Sequence, residues 1–258
     1  MENLRELLTK HRHEQIPRDY SGIEVYYLPD LAAYLKIGEI AQSSYLKHEC
    51  DALNWLDGKF PVPKVIDFEQ TGGTESMLIS EIAGTPASEY VSPANASSDL
   101  IEEFIKTAAR SLRQLHNIST DDCPLDQRLD AKLMIALENI RCGFVDDNDF
   151  DEERMGKTAV EIYDQLRDER PADEDLVFTH GDFCLPNIIV EDGAVAGVID
   201  LGRAGVADRY QDIALLLRSF NFNAGGEADV EQSFCEAYGI DSIQRAKLNF
   251  YRKLDELF

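Results

Sequence analysis

The sequence lacks the features that mark several large classes of protein. It has a single tryptophan and five cysteines, an odd number, and no two cysteines form a C-x-x-C motif. Reduced thiols are therefore expected rather than a disulfide framework or a zinc site. No apolar run approaches the ~18 residues that cross a bilayer, and the charged N-terminus MENLRELLTKHRHEQ has no apolar signal-peptide core. These absences favour a cytoplasmic protein.

Positive charge is also scarce, because 25 Lys and Arg residues face 49 Asp and Glu residues, which gives a net charge of −24. A chain this acidic is repelled by phosphate backbones and anionic lipid surfaces, so neither nucleic acid nor a membrane is an expected partner. The excess is uneven: residues 1–85 hold 14 acids and 8 bases, whereas residues 86–258 hold 35 and 17. A cationic partner is therefore expected to bind to the second part of the chain.

Secondary-structure signals divide the 258 residues at about residue 82. The first part predicts strands and one inserted helix, whereas the chain after the break at Ala83-Gly84-Thr85-Pro86 is mostly helical. We therefore expect an α+β fold with a sheet-containing lobe over 1–81, a hinge at 82–86 and a helical lobe over 87–258. The predicted strands include 24–28, 32–37 and 76–82, and the predicted helices span 43–57, 99–117, 125–143, 156–168 and much of the chain from 208 onwards.

Residues 178–205, FTHGDFCLPNIIVEDGAVAGVIDLGRAG, combine apolar runs with closely spaced polar residues. Asp192-Gly193 separates two apolar runs and predicts a tight hairpin turn. Counting back from that turn places Asn187 opposite Val198, with Asp200 two residues, or roughly 7 Å, further along the second strand. Asn187 and Asp200 are therefore expected at the same end of the hairpin.

The same segment follows the spacing used for phosphoryl transfer. His180-Gly181-Asp182, then Asn187, then Asp200-Leu201-Gly202 matches the order of a kinase catalytic loop and metal-binding loop. In such a site Asp182 accepts or orients the proton of the attacking hydroxyl, while Asn187 and Asp200 hold Mg²⁺ against nucleotide phosphates. The simpler alternative is a polar turn with an exposed aspartate, but the second aspartate at the expected distance argues against it.

Two charged residues in the first part fit this interpretation. Lys36 lies inside an apolar strand, and Glu49 falls on the apolar stripe of the helix over 43–57, between Leu46 and Leu53. A carboxylate on a buried face needs a cation. For either residue alone, a snorkelling lysine or a helix-edge glutamate is the better interpretation. Together, upstream of the metal motif, they predict the lysine–glutamate pair of a nucleotide phosphate site.

The phosphate-binding loop itself has a weaker signal. There is no G-x-G-x-x-G motif, and Ser21-Gly22, before the strand over 24–28, offers only a short turn. Backbone N–H groups in such a turn can bind phosphate, although most Ser-Gly pairs are plain turns.

Several of these segments closely resemble the aminoglycoside 3'-phosphotransferases, the kanamycin and neomycin kinases. The resemblance runs nearly end to end and rests on YLK, NWLDGKFPVPKV, LISEIAG, HGDFCLPN, VIDLGRAGVADRYQDIALLLRS and FYRKLDELF. Gly181 and Leu201 separate the chain from protein kinases, which usually carry Arg and Phe there. The resemblance implies a bilobal protein-kinase-like fold: an N-terminal antiparallel sheet lobe with one helix, and a larger, mainly helical C-terminal lobe.

The resemblance also implies the reaction and its cofactors. It predicts phosphorylation of the 3'-hydroxyl of a cationic aminoglycoside, with ATP or GTP and Mg²⁺ as cofactors, in a monomer or weak homodimer that confers antibiotic resistance. By resemblance, Asp182 is the catalytic base, Asn187 and Asp200 are the magnesium ligands, and Lys36, held by Glu49, contacts the α/β-phosphates. The remaining nucleotide contacts it implies are Ser21 in the phosphate loop, Tyr34 stacked on adenine, and the backbone of Glu81 and Ile82 at the adenine edge.

Substrate contacts are implied by acidic residues in two places. The run DDNDFDEE at 146–153 has six acids in eight residues, and such a run is usually a solvated loop. Its position resembles the drug-binding loop of the family. The substrate residues implied by the resemblance are Asp149, Asp151, Glu152, Asp182, Arg203, Asp255, Glu256 and the terminal carboxylate of Phe258.

Three alternatives remain at this point. A kinase of the same fold could act on choline or a macrolide, but the acidic loop and the DELF terminus argue against it. A non-catalytic aminoglycoside-binding protein or a protein kinase fits the sequence less well. Four further polar residues read as structural: Asp212 as a helix cap that braces the catalytic loop, His116 as a cap or core residue, His180 as a support for the loop backbone, and Cys184 without a chemical role.

Overall fold

Strands dominate the first 80 residues and helices most of the remainder in the computed structural model, which describes residues 4–17, 22–40, 44–92, 94–223 and 230–258. The predicted α+β class is confirmed. The strands are β1 (Glu14–Ile16), β2 (Glu24–Leu28), β3 (Ala33–Glu39), β4 (Val65–Thr71), β5 (Thr74–Ser80), β6 (Thr85–Pro86), β7 (Leu176–Thr179), β8 (Ile188–Glu191), β9 (Ala194–Val198) and β10 (Gly205–Asp208). The helices are α1 (Leu7–Lys10), α2 (Ser44–Leu56), α3 (Ala87–Tyr90), α4 (Ser98–His116), α5 (Leu129–Cys142), α6 (Ala159–Asp168), α7 (Tyr210–Asn223), α8 (Val230–Tyr238) and α9 (Arg245–Asp255).

The chain forms two compact units. The first comprises Met1–Ala87 together with Asn187–Ala204, and the second comprises Ser88–Pro186 together with Gly205–Phe258. The predicted helical lobe over 87–258 includes residues 187–204. They belong to the first unit instead, because β6 pairs with β8 and carries the hairpin of β8 and β9 with it.

The first unit is built on an antiparallel sheet of strand order β1-β2-β3-β5-β4. Along the central strand β3, Ala33, Leu35 and Ile37 are buried in an apolar cluster with Leu28 and Leu78. Because successive side chains of a strand point to opposite faces, the residues between them, 34 and 36, share the other face of the sheet. This alternation sets the direction of the site residues on β3.

Helix α2 presents one apolar stripe, as its spacing predicts. Leu46, Cys50, Leu53 and Leu56 are all buried, and Glu49 is buried on the same stripe with a relative exposure of 2%. A carboxylate in this position requires a compensating cation.

The hairpin of β8 and β9 turns at Asp192-Gly193, and Glu191 pairs with Ala194, as predicted. Strand β9 passes so close to Pro61 and Ile82 that position 197 requires a glycine. A Cβ there would lie 2.9 Å from the carbonyl oxygen of Pro61 and 2.7 Å from the side chain of Ile82.

Beyond the turn, the predicted pairing of Asn187 with Val198 is wrong by one residue. The register shifts where Ala196 forms a bulge in β9, since the residues on either side of it pair with consecutive residues of β8. As a result Ile188 lies opposite Val198, and the Ile199 N–H donates to the Asn187 carbonyl oxygen at 3.0 Å. A bulge adds one residue to one strand and bends it.

The second unit buries its apolar residues between helices. Helix α4 packs on α8, and α7 packs on both α9 and α8. Helix α4 begins at Ser98 and is capped by Ser97, whose hydroxyl accepts a hydrogen bond from the Leu100 N–H. The short sheet of β7 and β10 pairs Thr179 with Gly205. That sheet leads the chain directly into the loop that starts at His180.

None of the helices in the described part of the chain combines the length and apolarity that a membrane crossing requires.

Candidate active site

In the first unit, Lys36 of β3 and Glu49 of α2 form the pair that the sequence predicts. Lys36 Nζ lies 2.7 Å from Glu49 Oε1 and 2.8 Å from Oε2. Their side chains are 12% and 2% exposed. The pair forms because strand alternation directs Lys36 away from the apolar cluster, while helical spacing turns Glu49 inward. A charge-assisted contact to both carboxylate oxygens fixes the ammonium group in one position.

Asp200 lies beside the same ammonium group. Its Oδ1 is 3.5 Å from Lys36 Nζ, and half of its side chain is exposed. The Asp200 backbone has φ of +65°, a left-handed conformation that non-glycine residues seldom adopt. The next residue, Leu201, donates its backbone N–H to the Glu49 carboxylate. The aspartate and the lysine–glutamate pair are therefore joined by contacts within one unit.

These contacts govern the charge of Lys36. Burial alone lowers the pKa of its ammonium group, but the Glu49 and Asp200 carboxylates outweigh that effect and raise the pKa above its ordinary value. Lys36 is therefore a fixed positive charge. Such a charge, held in place by carboxylates, suits contact with phosphate oxygens.

Asn187 and Asp200, the predicted metal ligands, both lie in the first unit. Asn187 is 9% exposed and ends the short 3₁₀ turn Leu185–Asn187. The Ile199 N–H donates a hydrogen bond to the Asn187 carbonyl oxygen, and this bond brings Asn187 close to Asp200. In the described residues, no three or more His, Cys, Asp or Glu side chains form a metal cage. One carboxylate and one amide still fit Mg²⁺, which usually takes one or two carboxylates and completes its shell with water and phosphate.

The adenine-side predictions fall on the same unit. The rings of Tyr34 and Tyr27 lie 4.9 Å apart between centroids, and the Tyr27 hydroxyl donates to Glu81 Oε2 at 3.0 Å. The Glu81 N–H donates to the Ala32 carbonyl oxygen at 2.9 Å, so this N–H is engaged within the protein. Ile82 is half-buried beside it.

In the second unit, the loop after β7 holds the predicted catalytic aspartate. Asp182 is partly exposed, and its backbone N–H donates to the ring Nδ1 of the buried His180 at 3.3 Å. The Asp182 carbonyl oxygen accepts a hydrogen bond from the Cys184 N–H at 2.9 Å. The expected role of His180, support of the loop backbone, is confirmed.

The carboxylate of Asp212 braces this loop, as predicted. Its Oδ2 accepts from the His180 N–H and its Oδ1 from the Gly181 N–H, each at 2.8 Å. The prediction that Asp212 caps helix α7 is wrong. The helix begins at Tyr210, whose N–H donates to Asp208 at 2.8 Å, and Asp212 lies within the first turn.

Three of the predicted substrate acids meet around two arginines in the same unit. Arg154 Nη1 lies 3.2 Å from Asp151 Oδ2 and 3.0 Å from Glu256 Oε1. Arg218 contacts Asp255 and lies 3.8 Å from Asp151. We refer to these five residues as the acid–arginine cluster. Its acids are already paired with cations that belong to the protein.

The cluster changes the protonation of Glu256. Burial and the nearby Asp151 carboxylate raise the pKa of Glu256 to about 7, although Arg154 and the Asp151 N–H act in the opposite direction. Near neutral pH this carboxyl group therefore exchanges a proton readily.

The remaining predicted substrate residues do not enter the cluster. Asp149 and Glu152 are exposed. The ring of Phe258 faces Lys132, with 4.7 Å between Nζ and the ring centroid. Arg203 is half-buried and belongs to the first unit. Ser21 lies outside the described residues.

Sequence reasoning missed two groups of residues. Arg154 lies in an acidic run and Arg218 in the apolar run LLLRSF, and no periodicity marks either arginine as the partner of a distant acid. The sequence predicts only a cap or core role for His116, yet its Nε2 lies 3.0 Å from Asp212 Oδ2. Its placement at the end of an amphipathic helix was the available signal, and that signal does not reveal the partner.

Comparisons with known proteins show a family match and the same fold. A model of the phosphotransferase enzyme family matches residues 14–251. An aminoglycoside 3'-phosphotransferase of Niallia circulans is 39% identical over 242 residues, which cover 93% of this chain and 90% of that protein. The crystal structure of an aminoglycoside-3'-phosphotransferase of type VIII aligns with a TM-score of 0.85 and 29% identity, over 99% of this chain and 97% of the other. The ADP and streptomycin complex of aminoglycoside phosphotransferase APH(3'')-Id from Streptomyces rimosus aligns with a TM-score of 0.83 and 28% identity, over 100% and 99% of the two chains.

The fold and the motifs thus define a phosphotransferase enzyme. Within that class, the chain belongs to the aminoglycoside 3'-phosphotransferase family. The predicted resemblance and the kinase-like fold are confirmed.

Proposed function

We propose that the protein transfers the γ-phosphoryl group of ATP to the 3'-hydroxyl of an aminoglycoside antibiotic. The observation that carries this proposal is the assembly of Lys36, Glu49 and Asp200 in the first unit, with Lys36 Nζ in contact with both carboxylates. A protein that only binds aminoglycosides has no use for a buried lysine held in this way. Membership of the aminoglycoside 3'-phosphotransferase family supports the acceptor.

ATP is the proposed donor, and the ADP complex of the Streptomyces rimosus relative supports it. Lys36 contacts the α- and β-phosphates, and Glu49 keeps it from turning away. Tyr34 stacks on the adenine ring. Because the Glu81 N–H is engaged by Ala32, we assign the adenine edge to the Glu81 carbonyl oxygen and the Ile82 N–H.

Mg²⁺ is the proposed metal, held by Asn187 and Asp200. When bound, it neutralises charge on the transferring phosphoryl group. Asp200 serves two positive partners in this proposal, the metal and Lys36, which accounts for a carboxylate that is half exposed but fixed in its backbone.

Asp182 is the proposed base. Its loop is fixed on both sides, by the His180 ring and by the Asp212 carboxylate, so its carboxylate can be aimed at a substrate hydroxyl without a large loss of entropy. The proton of the acceptor hydroxyl passes to Asp182 as that oxygen bonds to the γ-phosphorus, and the bond from this phosphorus to the bridging oxygen breaks, so that ADP leaves.

The cationic acceptor is proposed to bind to the acid–arginine cluster, its exposed acidic neighbours Asp149 and Glu152, and the carboxylate of Phe258. Asp151 carries most weight in this assignment, because it touches both Arg154 and Arg218. A substrate ammonium group can share its carboxylate with them.

We also place the reaction in the cytoplasm, where ATP is available. None of the five cysteines, all of which lie in the described residues, forms a disulfide, and this fits a reducing compartment.

A matched pair of acceptors tests the proposal. The purified protein with ATP and Mg²⁺ should release ADP with kanamycin B but not with its 3'-deoxy analogue tobramycin, because tobramycin lacks the hydroxyl that is phosphorylated. Mass spectrometry of the kanamycin B product should show one added phosphoryl group. Streptomycin and choline serve as alternative acceptors.

Each alternative has its own result. Equal turnover of kanamycin B and tobramycin would contradict the 3'-position. Turnover of streptomycin alone would point to the position used by a 3''-enzyme, and turnover of choline alone to a different small-molecule kinase. Thermal stabilisation by kanamycin B without ADP release would indicate a binding protein.

A further inference from the structure

A chain of buried hydrogen bonds runs through the second unit to the catalytic loop. Asp212 Oδ2 takes a second hydrogen bond, besides that from the His180 N–H, from His116 Nε2 at 3.0 Å. His116 Nδ1 lies 2.6 Å from the Tyr238 hydroxyl. The Tyr238 hydroxyl in turn lies 3.2 Å from Arg209 Nη1. The side chains of His116 and Asp212 are 1% and 0% exposed, respectively.

With a neutral imidazole at His116, one set of donors and acceptors accounts for every bond in this series. Arginine can only donate, so Arg209 donates to the Tyr238 oxygen, which leaves the tyrosine proton for His116 Nδ1. His116 Nδ1 therefore accepts, and its Nε2 carries the proton that is donated to Asp212. Burial raises the pKa of Tyr238 to about 12, so its hydroxyl keeps this proton at neutral pH. One tautomer of His116 satisfies all of these contacts.

We propose that His116 and Tyr238 are positioning residues for phosphoryl transfer, which hold the Asp212 carboxylate in the rotation that binds the catalytic loop. This inference rests on the proposed role of Asp182. Asp212 binds the loop through both of its carboxylate oxygens. A rotation of the carboxylate would therefore break both hydrogen bonds from the backbone N–H groups of the loop at once. The bond from His116 opposes that turn.

A role in core packing alone would not need this arrangement. An apolar side chain of similar size would fill the space of His116 without the need to pair two polar atoms. The series of hydrogen bonds is also fixed at its outer end, because Arg209 Nη2 donates to Asp175 Oδ1 at 3.0 Å. Its inner end is the backbone of the residues that precede Asp182.

The test compares Tyr238→Phe with Tyr251→Phe. Both tyrosines are 2% exposed in the second unit, but within the described residues the Tyr251 hydroxyl has no hydrogen-bond partner. Tyr238→Phe should lower kcat for kanamycin B about ten- to a hundredfold, the size of effect seen when outer hydrogen-bond partners of a site are removed. The KM for ATP should stay within about twofold. Tyr251→Phe should leave kcat unchanged.

A second pair of variants separates positioning from folding. His116→Gln keeps an N–H donor that can reach Asp212, and it should retain most of the kcat. His116→Leu removes the donor and should lose it. Melting temperatures and ADP binding are measured on each variant, so that kcat refers to folded protein.

Amide hydrogen exchange gives a measurement that needs no substrate. The amides of His180 and Gly181 should exchange faster in Tyr238→Phe than in the parent and in Tyr251→Phe. Unchanged exchange at these two amides, or an unchanged kcat for folded His116→Leu, would overturn the inference. If the parent does not phosphorylate kanamycin B, the proposed function fails. The exchange result still decides whether the hydrogen bonds of His116 and Tyr238 anchor the loop.

Discussion

Lys36 and Glu49 meet through both carboxylate oxygens, at 2.7 and 2.8 Å from Nζ. The pair joins a strand to a helix that approach one another only in the folded unit. It also leaves the Lys36 ammonium group within 3.5 Å of Asp200. The geometry therefore links helix α2 to the proposed phosphate and metal ligands. A change at Glu49 should consequently weaken the binding of the nucleotide.

Glu49→Gln should raise the KM for ATP about tenfold, since a neutral amide holds the ammonium group less firmly and Lys36 turns toward Asp200. Steady-state kinetics with varied ATP measure the effect. Glu39→Gln, at the exposed end of β3, is the control and should match the parent. A Glu49→Gln enzyme with a lower melting temperature but an unchanged KM for ATP would limit the pair to a structural role.

Asp182→Asn should lower kcat by about 10²- to 10⁴-fold, because the acceptor hydroxyl loses its base. ADP affinity, measured by calorimetry, should change little, since the proposed nucleotide contacts lie elsewhere. Asp192→Asn is the matched control. It makes the same chemical change in the hairpin turn, where φ of +51° is well tolerated by asparagine. Near-normal turnover in Asp182→Asn would remove it from the proposed mechanism.

Arg154→Met should destabilise the protein by about 3–5 kcal/mol, because Glu256 and Asp151 would lose a buried cation. The free energy of unfolding in urea at pH 8 measures this. Arg167→Met, in an exposed pair with side chains 60% and 61% exposed, should change it by less than about 1 kcal/mol.

The same variant tests the proposed substrate contact. Kanamycin B should stabilise Arg154→Met more than the parent, since its ammonium groups can replace the missing guanidinium group. Equal stabilisation of the two proteins would argue that the substrate does not use Asp151 and Glu256.

The raised pKa of Glu256 predicts a dependence of stability on pH. The folded state holds this proton up to about pH 7, whereas the unfolded chain releases it near its ordinary pKa of ~4.3. Between these values the folded state binds more protons, so the contribution of Glu256 is complete below the lower value and is lost as the pH rises to the upper one.

Glu256→Gln should remove this contribution. As the pH rises from 4.5 to 8, the unfolding free energy of the parent should therefore fall relative to that of Glu256→Gln. Glu103→Gln, an exposed change on α4 with a side chain 70% exposed, should show no such shift. A difference that is constant across this range would contradict the raised pKa.

Local patterns were enough to predict much of the site. Alternation along β3 and helical spacing along α2 fixed the directions of Lys36 and Glu49, and both lie where those periods place them. The turn at Asp192-Gly193 likewise predicted a hairpin that ends near Asp200. These inferences succeeded because each depends on the residues of one element or one turn.

Contacts between distant segments could not be predicted in this way. Arg154 and Glu256 are 102 residues apart, and no local period relates them. His116 and Asp212 are 96 residues apart. An acidic run offers many possible partners to an arginine, and only the tertiary packing of the second unit selects among them.

The bulge at Ala196 gives the segment between the hairpin turn and Asp200 a required length. With one residue fewer, β8 and β9 could pair without the extra residue and still form a hairpin, but Asp200 would then move by one position relative to Asn187. The hydrophobic content of the strand would hardly change. This stretch should therefore accept many substitutions in evolution and in library selection, while insertions and deletions within it abolish the site in a chain that still folds.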